Sequence, residues 1–257
     1  LYKRDTSYIE VNQHAALTYN FSPGNFIKVL YHQYSSDMIT LNGIVNQNNV
    51  LRFSDITSYS YGLGFTSGKT DHLYNPRRGY RLNIEGLAGH KNIRPNAGIN
   101  DSLYNNIKTR TENYTGNLTV DYFIPVFKQS AIRLANQSRV IINPVIFQNE
   151  TMRLGGIRTL RGFDEESVNT TAFTVFTAEY RFLFEENSFA YLFFDQAWYE
   201  NNIKGSFITD TPFGFGAGVS FGMKAGIFTL NYALGKQLGN PVLLRGSKVH
   251  FGFISYF

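Results

Sequence analysis

Residues able to carry chemistry are sparse in this chain of 257 residues. The five histidines, His14, His32, His72, His90 and His250, lie too far apart for metal-ligand spacing. There is no cysteine, which excludes disulfides and thiolate metal sites. No nucleophile elbow, phosphate loop or dinucleotide fingerprint occurs. The adjacent acids Glu165-Glu166 and Glu185-Glu186 read as loop and turn charges. Two other carboxylates stand apart because of where they fall in an alternating pattern. In residues 171–184, Phe176, Tyr180, Phe182 and Phe184 occupy one face, so Glu179 takes the other face with Thr177 and Arg181. In residues 188–200, Leu192, Phe194 and Trp198 share one face and Asp195 falls on the other. Successive side chains of a strand point to opposite faces, so both carboxylates point away from the apolar side. A short turn at 185–187 makes the two strands antiparallel neighbours. Two carboxylates held together repel unless a cation joins them.

The same alternation runs through the chain. Phe213, Phe215, Ala217, Val219 and Phe221 alternate with Gly214, Gly216, Gly218 and Ser220. Tyr59, Tyr61, Leu63 and Phe65 alternate with Ser58, Ser60, Gly62 and Gly64, and Leu118, Val120 and Tyr122 with Asn117, Thr119 and Asp121. This pattern predicts an all-β fold of about eleven strands, near residues 8–20, 26–36, 55–67, 79–91, 112–124, 130–142, 171–184, 188–200, 211–223, 226–236 and 247–257. Most expected strands run about 10 to 13 residues, close to the length that crosses a bilayer as a tilted strand. Short turns at 22–25, 126–129 and 185–187 alternate with long loops near 37–54, 92–111, 143–170 and 237–246, while the connections 68–78 and 201–210 are intermediate. Short turns on one rim and long loops on the other are the pattern of outer-membrane barrels. No run approaches the roughly 18 apolar residues a membrane helix needs. Mean hydropathy is −0.22, as expected where each strand presents only one apolar side. Aromatic residues make up 16%, with 23 Phe and 17 Tyr, and the basic residues behind the net charge of +5 are scattered, which disfavours nucleic acid as a partner. The absence of a signal peptide at Leu1 and the odd strand number both lead us to expect sequence upstream of this chain.

The longest loop carries Arg153-Leu154-Gly155-Gly156-Ile157-Arg158-Thr159-Leu160-Arg161-Gly162-Phe163-Asp164-Glu165-Glu166. It is followed by Ala178-Glu179-Tyr180-Arg181-Phe182, then Phe193-Phe194-Asp195-Gln196-Ala197-Trp198, and finally the aromatic run Val249 to Phe257. In this order, over roughly the last hundred residues, the segments resemble the Omp85 family of outer-membrane barrel assembly and translocation proteins, in particular those of Bacteroidetes-type bacteria. Leu160 stands where Val is commoner, and Ala197 where Gly is usual.

The resemblance implies a transmembrane antiparallel β-barrel of about sixteen strands in the full protein, of which this chain would hold the sixth to the sixteenth as one domain over 1–257. The signature loop at 143–170 would fold inward, with Gly155, Gly156, Leu160, Arg161, Gly162 and Phe163 as its core. Arg161 would pair with Glu179 and Asp195, because a planar guanidinium engages two carboxylates at once. Gly162 would allow a tight turn, Phe163 would pack on the inner wall, and the Gly214–Ser220 row would leave room for the loop. Gly252, Phe253, Tyr256 and Phe257 would form the closing seam and C-terminal signal, with Gly252 either weakening the strand or accommodating a neighbour. The implied function is outer-membrane protein assembly or translocation through a lateral seam, without catalysis, cofactor or metal. Implied partners are outer-membrane lipid, unfolded outer-membrane protein substrates, and accessory lipoproteins or other assembly-complex subunits. A passive pore, or a barrel anchoring an upstream patatin-like hydrolase, is the alternative.

Overall fold

The computed structural model describes residues 8–39, 51–105, 107–185 and 187–255. Its long elements are all strands: β1 (Tyr8–Ser22), β2 (Asn25–Met38), β3 (Asp55–Thr70), β4 (Gly79–Arg94), β5 (Arg110–Phe127), β6 (Ser130–Ile142), β7 (Met152–Leu154), β8 (Val168–Thr170), β9 (Ala172–Glu185), β10 (Ser188–Ile203), β11 (Ser206–Asp210), β12 (Phe213–Met223), β13 (Gly226–Lys236) and β14 (Lys248–Ser255). One antiparallel sheet runs in the order β1-β2-β3-β4-β5-β6-β9-β10-β12-β13-β14, with β11 paired to β10 as its twelfth strand, and β7 and β8 form a separate ribbon. Every segment expected from alternation overlaps one strand of this path. Among the described residues the sheet is not closed, and the outer edges of β1 and β14 carry no strand partner.

Two expectations differ from what is seen, and a third falls outside the described residues. The intermediate connection at 201–210 is a hairpin, because β10 continues to Ile203 and turns back through Gly205, at φ 79°, into β11. The 143–170 loop is not irregular throughout: Met152 pairs with Thr170 and Leu154 with Val168, giving it a two-stranded stem. Tyr256 and Phe257 lie outside the described residues.

Alternation sorts the side chains as a pleated sheet requires. Tyr61 and Leu63 on β3, Phe176, Tyr180, Phe182 and Phe184 on β9, and Leu192, Phe194 and Trp198 on β10 are exposed on one face, called here the outer face. The inner face departs from a simple polar rule. Phe189, Tyr191 and Phe193 of β10 point inward and are buried. Tyr191 and Phe193 fit because β12 places Gly218 and Gly216 opposite them, and Phe189 faces the small Ser220. A Cβ at Gly216 would lie 2.9 Å from the Phe193 ring, and one at Gly218 would lie 2.5 Å from the Tyr191 ring. The small row of β12 therefore receives the inward rings of β10.

The long loops build a core of their own. Leu51, Ile56, Ile93, Ile99, Tyr104, Ile107 and Phe147 pack together at the long-loop end of β2–β5. Asn149, 1% exposed, joins the loops by donating to Ser36 Oγ and to the Ser54 carbonyl, both at 2.8 Å. Lys91 and Glu150 form a buried ion pair at 2.7 Å, and the Glu150 carboxylate also accepts the Phe147 amide at 2.6 Å. Burial pushes the Glu150 carboxyl up, against the pull of the Lys91 ammonium. Phe147 is fully buried at the centre of this cap. Phe147→Ala is expected to destabilise the cap by about 3–4 kcal/mol, read as new protease cleavage in the loops at 95–109 and 143–151 with the strands still protected.

Candidate functional site

The site grows from the sharp turn that follows β7. Gly155 (φ 122°) and Gly156 (φ 97°) adopt backbone angles that side-chain-bearing residues avoid. The Gly156 amide donates to the Leu160 carbonyl at 3.0 Å, the Gly155 amide donates to Thr159 Oγ1 at 2.9 Å, and Glu165 Oε1 accepts the Ile157 amide at 2.8 Å. These bonds fix the turn from within. Leu160 is fully buried and packs with Phe163, Leu154, Phe173, Val175, Ala197 and Tyr199, so the loop is seated on the inner face of β9 and β10.

Seating delivers Arg161 to the two carboxylates. Its Nε donates to Asp195 Oδ2 at 2.7 Å, its Nη2 to Asp195 Oδ1 at 2.6 Å, and its Nη1 to Glu179 Oε2 at 3.0 Å. The Arg161 amide also donates to Asp195 Oδ2, at 3.2 Å, and Thr177 Oγ1 donates to Asp195 Oδ1 at 2.8 Å. The guanidinium lies over the Phe193 ring at 3.6 Å, one of the inward rings of β10. In register, Glu179 faces Phe193 and Asp195 faces Thr177, so the carboxylates are diagonal neighbours rather than opposite each other. Arg161, Glu179 and Asp195 are 7%, 4% and 0% exposed.

The network extends beyond these three residues. Arg181 Nε donates to Glu179 Oε1 at 2.7 Å, and Arg133 Nη1 to Glu179 Oε2 at 3.4 Å. Arg133 Nε donates to Asp121 Oδ1 at 2.7 Å. Arg181 Nη1 reaches Asn75, on the β3–β4 connection, at 3.1 Å. Three guanidinium groups (Arg133, Arg161, Arg181) meet three carboxylates (Asp121, Glu179, Asp195), so the formal charges cancel. Cancellation lets Arg161, Arg181, Glu179 and Asp195 be buried together, with Arg133 and Asp121 half-buried beside them. The register does place Arg133 opposite Glu179, and parity along β6 could have found it.

Glycine determines how closely the loop approaches. Gly162 has φ 90°, and a Cβ there would stand 2.6 Å from the Leu234 carbonyl oxygen of β13. A Cβ on Gly214 of β12 would stand 1.9 Å from the Arg161 carbonyl oxygen. Phe163 is buried against the backbone of Gly235.

The loop also grips the edge strand β14. His250 Nε2 accepts the Gly162 amide at 3.2 Å, Lys248 Nζ lies 2.7 Å from Asp164, and the Ile157 side chain fills the space above Gly252. These β14 residues are alternate ones, so they share the inner face. β14 keeps unbroken register with β13 through Gly252, which pairs with Thr229. Gly252 therefore accommodates Ile157 and does not kink the strand. Phe253 is exposed on the outer face, away from the network. At the other edge, Arg153 donates to the Tyr8 hydroxyl of β1 at 2.7 Å. One loop thus touches both edge strands.

The Lys248–Asp164 pair is partly exposed and contributes at most about 1 kcal/mol. Lys248→Asp is expected to speed amide exchange over β14, and adding Asp164→Lys should slow it again. Equal exchange in both variants would show that the pair does not tether the strand.

The fold and site define an antiparallel all-β sheet with a long loop salt-bridged to its inner face. The chain matches no family model and no curated protein.

Proposed function

We propose that the chain is part of a transmembrane β-barrel of the outer membrane, similar to the Omp85 family, and that it acts in outer-membrane protein assembly or translocation. The seated Arg161 loop carries this reading. It occupies the inner face and grips β14, an edge strand of the sheet formed by the described residues. An incoming strand of an unfolded outer-membrane protein would pair with that edge by ordinary backbone hydrogen bonding. The outer face supports the membrane setting: its exposed Tyr, Phe and Leu rows form an apolar surface far larger than soluble monomers tolerate. In this reading, outer-membrane lipid contacts those rows, Gly252 and Phe253 belong to the seam strand, and accessory lipoproteins or other assembly subunits bind elsewhere. The work is done by binding, with no bond made or broken.

A second reading, a passive pore, is favoured by one observation. A cavity of about 590 Å³ lies on the inner face between polar groups including Glu10, Asn12, His14, Arg139 and Glu150. Depletion of the protein in its host, followed by a census of outer-membrane proteins, separates the two. Assembly predicts a broad fall in barrel proteins with their unfolded forms accumulating. A pore predicts an unchanged census and steady ion conductance in planar bilayers.

A further inference from the structure

Several apolar residues of the other long loops are consumed by packing: Ile99, Tyr104, Ile107 and Phe147 are all buried in the cap, while Ile39 stands exposed by itself. The β13–β14 loop is different. It carries Val242-Leu243-Leu244 in succession, and all three are exposed, Leu244 at 76%. Leu238 in the same loop is also exposed, although its amide is anchored to Asp210 Oδ2 at 2.6 Å. This loop is therefore positioned yet leaves its aliphatic side chains uncovered.

Two features identify what covers them. First, the loop leads through a 3-10 turn at Leu244–Gly246 into β14, whose outward residues Val249, Phe251 and Phe253 are exposed like the loop's own aliphatic side chains. Second, the aliphatic run is bracketed by cations. Arg245 follows Leu244 directly and is exposed, and Lys236 ends the outward row Phe228, Leu230, Tyr232 and Leu234 of β13. Aliphatic side chains next to cations at the end of an apolar face match the boundary between acyl chains and anionic headgroups.

We propose that residues 238–245 are a membrane-interface anchor. Leu238, Val242, Leu243 and Leu244 enter the upper acyl region, and Arg245 and Lys236 lie against lipid phosphate. The anchor would fix the height of the β13–β14 hairpin in the bilayer. It rests on the membrane reading of the outer face, and the test separates the two.

Trp198 is the only tryptophan, and it is exposed on the outer face of β10. The protein is reconstituted in phosphatidylcholine vesicles with and without chains brominated near the headgroup. Quenching of native Trp198 tests the membrane reading. A Trp198→Phe, Leu244→Trp variant tests the anchor, and a Trp198→Phe, Leu243→Trp variant repeats it at the neighbouring position. The anchor predicts about twofold quenching at both loop positions, as for a side chain at the interface, and a further increase when anionic phosphatidylglycerol is added. Quenching of Trp198 without quenching at either loop position overturns the anchor and leaves the membrane reading standing. Absence of quenching at all three positions overturns both. A blue-shifted loop tryptophan that appears only at high protein concentration, without lipid dependence, assigns the patch to a second copy of the chain and also overturns the anchor.

Discussion

Arg161→Ala is expected to release the loop from the inner face while leaving the sheet paired. The variant removes both side-chain bonds to Asp195, which is fully buried, and one bond to Glu179. Asp195 would keep only Thr177 and a backbone amide supplied by the same displaced loop. An unpaired buried carboxylate of this kind costs about 3–5 kcal/mol. Glu179 suffers less because Arg181 and Arg133 still reach it. The predicted readout is protease cleavage within 155–167 and fast amide exchange in β14, with β3–β5 unchanged. Arg161→Lys should rescue little, since an ammonium cannot present the paired Nε and Nη2 donors that Asp195 receives. Asp195→Asn in the Arg161→Ala background should recover part of the loss by removing the stranded charge. If the loop of Arg161→Ala stays protected, the salt network does not hold it.

The second large effect is steric. Gly214→Ala places a methyl group 1.9 Å from the Arg161 carbonyl oxygen, a contact that no rotamer relieves because a Cβ does not rotate away. Either the loop lifts or β12 shifts, at about 1–3 kcal/mol for overpacking of this kind. Lifting by about an ångström would stretch the 2.6 and 2.7 Å bonds to Asp195 beyond hydrogen-bond range, so the phenotype should approach that of Arg161→Ala. Gly86→Ala is the control: a Cβ there meets nothing within 4 Å, and its effect should be close to zero. Similar loop release in both alanine variants would mean that strand flexibility, not collision, governs the loop.

Much of this was legible in sequence because a strand has a period of two. The outer rows of β3, β9, β10, β12 and β13 could be read directly, and the same parity placed Glu179 and Asp195 on one face. What parity alone does not give is which contacts form across non-neighbouring segments. The loop-end core around Phe147 gathers residues from three separate loops whose sequences carry no period, so nothing local announced it. His250 and Lys248 meet the loop about 85 residues away in the chain, through a close approach that depends on glycine backbone conformation. The inward rings of β10 were missed for a different reason. Phe193 and Tyr191 break the expectation of a polar inner face, and they fit only because β12 carries Gly216 and Gly218 across from them. The intermediate connection at 201–210 hid a hairpin because each of its arms is too short for alternation to show: β11 is only Ser206–Asp210.

The central sorting of side chains sends the apolar rows to the outer face and, β10's inward rings apart, the polar ones to the face that seats the loop. Single spin labels along β5 at Asn117, Leu118, Thr119, Val120 and Tyr122, in protein reconstituted into vesicles, test it most directly. The prediction is strict alternation: Leu118, Val120 and Tyr122 collide mainly with dissolved oxygen, and Asn117 and Thr119 with a water-soluble nickel chelate. Chelate access at Leu118, Val120 and Tyr122 equal to that at Asn117 and Thr119 would contradict it.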